Sequence, residues 1–307
     1  MKNPKNISKR ILASFGIGSF KNIKNENVKL EEFLFKFKRN KLAIVGLSIF
    51  IILIFLAVFA NWIAPYPQDA GIAVHFNQTL QPPSFKHIFG TDDLGRDIFS
   101  RILFGLRYTL IAGLTIPIIG ALIGVTLGLI AGYFGKKIGT VIMRITDVFL
   151  SIPPLVIALL VISVLGPGLL NIIIALSIDW WSWYVRMVQA EVLVIREQNF
   201  VEASYILGSS KFRIIFSHIL PNAIFPVIVK ITLDMGYAIL NVASLGFLGL
   251  GITPPTPELG YLVAEGRLFL PNDWWISTFP GLFIFLAILS INLLGDGLRD
   301  IFDVEVT

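Results

Sequence analysis

The chain has no cysteine, three histidines and little charge: Asp, Glu, Lys and Arg make up 15% of its 307 residues. The missing cysteine removes disulfides, thiolate zinc sites, iron–sulfur clusters and cysteine nucleophiles from consideration. The scarcity of charge excludes more. A soluble domain is about a quarter charged, so this chain cannot cover an ordinary water-facing surface. What it has instead is apolar: 55% hydrophobic residues, with 25 phenylalanines and a mean hydropathy of +0.78. Disorder is excluded by the same figures, because so much Ile, Leu and Phe gives any collapse ample area to bury. The class that remains is an integral membrane protein.

The net charge of +5 is unevenly spread. Residues 1–41 hold 11 Lys and Arg against 3 Asp and Glu, so the rest of the chain is net negative. Ahead of an apolar run such a basic arm reads as the cytoplasmic flank of a membrane helix rather than a nucleic-acid contact. Bilayer thickness demands about 20 apolar residues per helix. Leu42 to Ala64, Tyr108 to Gly135 and Trp274 to Gly295 are uncharged runs of that order. Val148 to Ile178 is too long for one span and is interrupted at Gly166, Pro167 and Gly168, so it reads as a hairpin. Its first arm starts near Thr140 and its second runs from Leu169 to Gln189. Pro221 to Gly251 completes an all-α polytopic protein of six transmembrane helices. With the amino terminus inside, Lys and Arg divide 19 to 5 in favour of the cytoplasmic side, which places both termini there. No small-residue cleavage pattern follows the first run, so it is expected to stay in the mature chain.

Two loops are expected outside, Pro65 to Arg107 and Gly251 to Asp273. The most polar cytoplasmic segment, Glu191 to His218, lies between the fourth and fifth spans. Within it Asn199 is a suitable N-cap, and Glu202 three residues on can reach back to the free amide and meet the helix dipole. Gly208 can take the left-handed conformation that ends a helix. The result is a helix over Phe200 to Leu207, about 12 Å long and too short to span. Ser210 can cap a second piece leading to Leu220 and Pro221. A two-turn helix is marginal in water, so Val201, Tyr205 and Leu207 need a surface to meet. That surface is either the bilayer interface or another protein.

Glu202, Ala203 and Ser204, then Gly208, then Leu220 and Pro221 resemble the EAA loop of the membrane subunits of bacterial ABC importers, with matching spacing throughout. Ser204 stands where a third Ala is usual, and His218 stands at an Ile position. FGTDDLGRDIFSRILFGLRYTL (Phe89 to Leu110), GLIAGYFG (Gly128 to Gly135), SLGFLGLGITPPTPELG (Ser244 to Gly260) and NLLGDGLRD (Asn292 to Asp300) are similar to the C-type permease subunit of the oligopeptide, dipeptide and nickel importers. The resemblance covers about Phe33 to Asp303. It implies a type I importer permease fold with a cytoplasmic EAA coupling helix, in a bacterial cytoplasmic membrane. It divides the chain into a basic arm (1–32), a first span with its outer loop (33–105), a five-helix permease core (106–299) and a tail (300–307).

The implied partners are a homologous permease forming a heterodimer, two cytoplasmic ATP-binding subunits that hold ATP and Mg, and an extracytoplasmic binding protein. Membrane lipid surrounds the spans and peptide is the implied cargo, with a nickel chelate as the alternative. Glu202, Ala203, Ser204, Gly208, Leu220 and Pro221 would transmit the ATPase stroke, and the subunit would have no catalytic residues and no cofactor of its own. The sequence agrees on the motor. A P-loop needs Gly, four residues, then Gly-Lys-Ser/Thr, and the nearest approach, Gly135-Lys136-Lys137, has Ile130 at the first Gly.

The remaining polar residues have competing readings. A carboxylate within a membrane costs about 2.5–3.5 kcal/mol on insertion scales, so Asp179 should face protein, water or headgroups. Either it lies on the translocation path, or the neighbouring Trp180, Trp181 and Trp183 mark an interface. Lys230 and Asp234, four apart, can pair on one helix face. In a secondary transporter the same acids would relay protons, which would leave the EAA pattern unexplained. Asp92, Asp93 and Asp97 lack calcium-loop spacing and read as a contact surface. His75, His87 and His218 form no metal pattern.

Overall fold

The computed structural model describes residues 35–302; the arm over 1–32 and most of the tail over 300–307 lie outside them. The described chain is helical, and its only extended pairing is an isolated bridge between Thr91 and Asp97. The long helices are α1 (Lys41–Val58), α2 (Ile98–Phe134), α3 (Lys136–Leu150), α4 (Pro154–Leu165) and α5 (Leu169–Arg196). They are followed by the short α6 (Asn199–Ile206), then α7 (Lys211–Phe247), a short α8 (Leu259–Gly266) and α9 (Trp275–Phe302). By length and composition α1, α2, α7 and α9 can each cross a bilayer, and α3 with α4 has the length and composition for a fifth crossing when the bent pair is taken as one span. α5 has 28 residues, enough to span, but Asp179, Arg186, Glu191 and Arg196 lower its hydropathy. Six spans are compatible with this arrangement.

Three boundaries differ from the sequence reading. The second long helix begins at Ile98, ten residues before the uncharged run at Tyr108, so the border drawn at 105 falls within α2. Asp97 caps α2, accepting from the Ser100 amide at 2.8 Å and its hydroxyl at 2.7 Å. The third span is two helices meeting at 84°. Pro153 and Pro154 impose the break, because proline inside a helix lacks the N–H and clashes with the preceding turn. Ser210 caps its helix as expected, accepting from the Arg213 amide at 3.3 Å. That helix then continues through a π-helical stretch, Ile214–Ile219, into the fifth span without a stop.

α2 and α5 run parallel in close contact. A Cβ added at Gly120 would lie 2.9 Å from Trp180 Cβ, at Gly128 2.7 Å from Val188 Cβ and at Gly132 2.6 Å from Val192 Cβ. Gly124 faces Tyr184 in the same register. Glycine at every fourth position lines one helix face and lets backbones approach where lipid supplies no hydrophobic drive. One core cluster gathers around this seam, with Ile116, Leu176, Tyr184 and Val188 fully buried. The second joins α1, the start of α2, α7 and α9 through Leu53, Ile102, Ile239 and Ile291.

Candidate functional site

α6 stands at the end of the bundle where α2 and α5 finish. Arg196, the last residue of α5, donates to the carbonyls of Gly132 and Tyr133, each at 3.2 Å. Asn199 is the first residue of α6 rather than its cap: the cap position is Gln198, and no side chain closes it. The capping box therefore does not form, although Glu202 lies in the first turn, where its charge complements the dipole. At the other end Gly208 has φ +77°, and Ser209 N donates to Ser204 O at 3.1 Å. This is the glycine-terminated turn that satisfies the last carbonyls of a helix.

α6 is anchored by little. Val201 is its one buried side chain, whereas Tyr205, Ile206 and Leu207 are 68%, 76% and 85% exposed. Between α6 and the bundle lies a cavity of about 550 Å³ lined by Tyr133, Arg196, Glu202, Tyr205 and Lys211 among others. The two positions that depart from the EAA pattern meet: Ser204 Oγ donates to Phe200 O at 2.8 Å and lies 3.4 Å from His218 Nε2. His218 sits in the π-helical stretch. Leu220 and Pro221 follow it at the start of the regular helix.

A second cavity, of about 280 Å³, opens between α5 and α7 and is lined by Asp179, Trp180, Trp183, Lys230, Asp234 and Tyr237. The three charged residues singled out along the sequence are thus brought together. Lys230 Nζ donates to Asp234 Oδ1 at 3.1 Å, and Trp180 Nε1 donates to Asp234 Oδ2 at 3.2 Å. Asp179 is 2% exposed, and its Oδ1 has no partner.

The opposite end of the bundle holds a polar network that sequence reading missed. Asp92 accepts from Arg96 Nε at 2.8 Å and from Arg101. Glu265 on α8 accepts from Arg96 Nη2 at 3.2 Å and Arg101 Nη1 at 3.1 Å. Behind it, Asp69 accepts from the Asp97 amide at 2.8 Å and meets His75 at 2.9 Å. His87 Nδ1 lies 3.0 Å from Asp97. Asp92 and Asp97 therefore hold the loop onto α2 and α8, and among the described residues no cluster of His, Asp or Glu is placed to hold a metal. Glu258 caps α8 through the amides of Gly260 and Tyr261, at 3.0 and 2.9 Å. Burial pushes its carboxyl up to about 7 against the pull of those two amides. Arg107, counted as a loop charge along the sequence, donates from within α2 to the carbonyls of Ala57 and Val58.

A bundle of bent and continuous membrane-length helices with a short exposed helix at one end fits a transport permease. Residues 124–307 match the model of the binding-protein-dependent transport system inner membrane component, and the chain belongs to that family. Residues 30–83 match the N-terminal transmembrane domain of oligopeptide transport permease C, which places the chain on the C-type branch. The di/tripeptide transport system permease protein DppC of Pseudomonas aeruginosa is 41% identical over 90% of this chain and 92% of its own length. The dipeptide transport system permease protein DppC of Escherichia coli is 44% identical over 90% and 93%. Among solved structures, the inward-facing MetNI methionine ABC transporter superposes with a TM-score of 0.53 at 21% identity. That match covers 66% of this chain and 96% of the other and supports the type I importer fold alone. As a permease of this family the chain is a transport subunit and not an enzyme.

Proposed function

We propose that the chain is one half of the membrane pathway of an ATP-driven peptide importer, acting by alternating access in a bacterial cytoplasmic membrane. The observation that carries this reading is α6: an eight-residue helix, held by one buried valine and ended by a left-handed glycine, with an apolar tip turned away from its own bundle. A homologous permease would complete the pathway, and an extracytoplasmic binding protein would deliver cargo. Two cytoplasmic ATP-binding subunits, with their ATP and Mg, would dock under Glu202, Ala203, Ser204 and Gly208, with Leu220 and Pro221 passing the displacement into α7. Closing of the ATPase pair would push the short helices together, and a bistable bundle would convert that displacement into gate motion. The basic amino-terminal arm supports a cytoplasmic position for both termini. Peptide cargo is supported by the names of the relatives. Asp179, Lys230 and Asp234 would line the path.

Reconstitution with these partners in proteoliposomes is expected to give dipeptide accumulation that requires ATP and is indifferent to an uncoupler. Uptake without ATP-binding subunits that collapses with the proton gradient would contradict the reading and indicate a secondary transporter. Accumulation of a nickel chelate in place of dipeptide would contradict the cargo.

A further inference from the structure

We propose that the cavity between α5 and α7 binds the free α-ammonium group of the passing peptide, with Asp179 as its counter-charge; this rests on the reading of the chain as a peptide permease. Two carboxyl groups and one ammonium line the cavity, Asp179, Asp234 and Lys230, so one carboxyl group has no cationic partner. Asp234 is already satisfied. One of its oxygens takes Lys230 Nζ at 3.1 Å and the other takes Trp180 Nε1 at 3.2 Å. Asp179 is served only in part: it is 2% exposed, Trp183 is the side chain that hydrogen-bonds to its carboxyl, and Oδ1 has no donor. A carboxylate within a membrane protein calls for a cation or a protein donor, and a primary ammonium supplies charge and three N–H groups at once.

The aromatic walls favour the same ligand. Trp180, Trp183 and Tyr237 line the cavity with Asp179, and indole and phenol faces attract ammonium groups. Lys230 Nζ already sits 6.0 Å from the Trp183 ring centroid. Lys230 also argues against a metal ion, which it would repel. The volume, about 280 Å³, lies just below the range of about 300–1,000 Å³ typical of pockets that enclose a drug-sized ligand. It therefore suits one end of a peptide rather than the whole, and recognition is of the terminal group common to all peptides rather than of their side chains.

The test is equilibrium dialysis of the purified importer complex, without its binding protein, against two radiolabelled probes. Alanyl-alanine amide is a cation at neutral pH and N-acetyl-alanyl-alanine amide is neutral. The wild-type complex should bind the cation saturably, and Asp179→Asn should weaken that binding at least about tenfold. Asp179→Glu should restore part of it, and the neutral probe should not distinguish the variants. Unchanged binding in Asp179→Asn, equal losses for both probes, or no saturable binding of the cation to the wild type would overturn the proposal. ATP-driven dipeptide uptake by the wild type is measured separately. If uptake succeeds while binding fails, the ammonium site is wrong and the permease reading stands; the converse result leaves the site and removes the reading.

Discussion

Replacing Gly208 with valine is expected to reduce ATP-driven uptake to background while the chain still reaches the membrane in normal amount. The cause is conformational and not steric, because nothing lies within 4 Å of an added Cβ at this position. With φ at +77°, an L-residue pays about 1–2 kcal/mol in the left-handed region, and a β-branched one fits it worst. The anchor holding α6 is of the same size, since burying one valine contributes about 1.5–3 kcal/mol. Val201 is the one residue that α6 contributes to the main core, so the strain is too small to unfold the bundle but can compete with that anchor and re-aim the helix. Gly208→Asn, which tolerates the left-handed region, should keep most uptake. Glu202→Lys should fail like Gly208→Val: it reverses the favourable charge in the first turn of α6 and adds a cation to a cavity already lined by Arg196 and Lys211. Immunoblots of membranes together with peptide uptake check all three variants. Normal uptake in both Gly208→Val and Glu202→Lys would remove the lever.

The second large effect is expected at the other end. Arg101 is 1% exposed and joins Asp92 at the base of the loop to Glu265 on α8. Arg101→Ala leaves Asp92, also 1% exposed, with Arg96 as its remaining cation and Glu265 short of a donor. Removing one partner from a buried ion pair costs about 3–5 kcal/mol, more than any exposed substitution on the loop. The expected result is a complex with a lower midpoint of thermal unfolding and faster proteolysis of the loop over 65–97. Arg101→Lys should recover part of the loss, because it keeps the charge without the planar fork. Proteolysis of Arg101→Ala at the wild-type rate would mean that the network does not hold this end together.

How much of this was legible along the sequence depended on whether the partner was local. Gly208 and Ser210 were readable because a helix end is decided by the residues beside it. The Lys230–Asp234 pair was readable because four residues bring both to one helix face. The start of α2 was not, since Arg101 and Arg107 look like loop charges until Glu265 and the Ala57 carbonyl are known to lie beside them. The bend at Pro153 and Pro154 and the four-residue glycine spacing from Gly120 to Gly132 were present in the letters; hydropathy alone passes over both. That Asp179 shares a cavity with Asp234 depends on how α5 and α7 are rotated against each other, which no local pattern fixes. The contact of Ser204 with His218 is of the same kind: two departures from a motif that only the fold brings together.

In the proposed importer the apolar tip of α6 meets the ATP-binding subunits. The absence of native cysteine makes a single introduced thiol unique in this chain. Leu207→Cys, at a position 85% exposed, labelled with a thiol-directed photo-crosslinker in the assembled importer, is predicted to give an adduct with an ATP-binding subunit. Phe85→Cys, at an exposed position of the opposite loop, is predicted to give none. No adduct from Leu207→Cys, or equal adducts from both positions, would contradict the account.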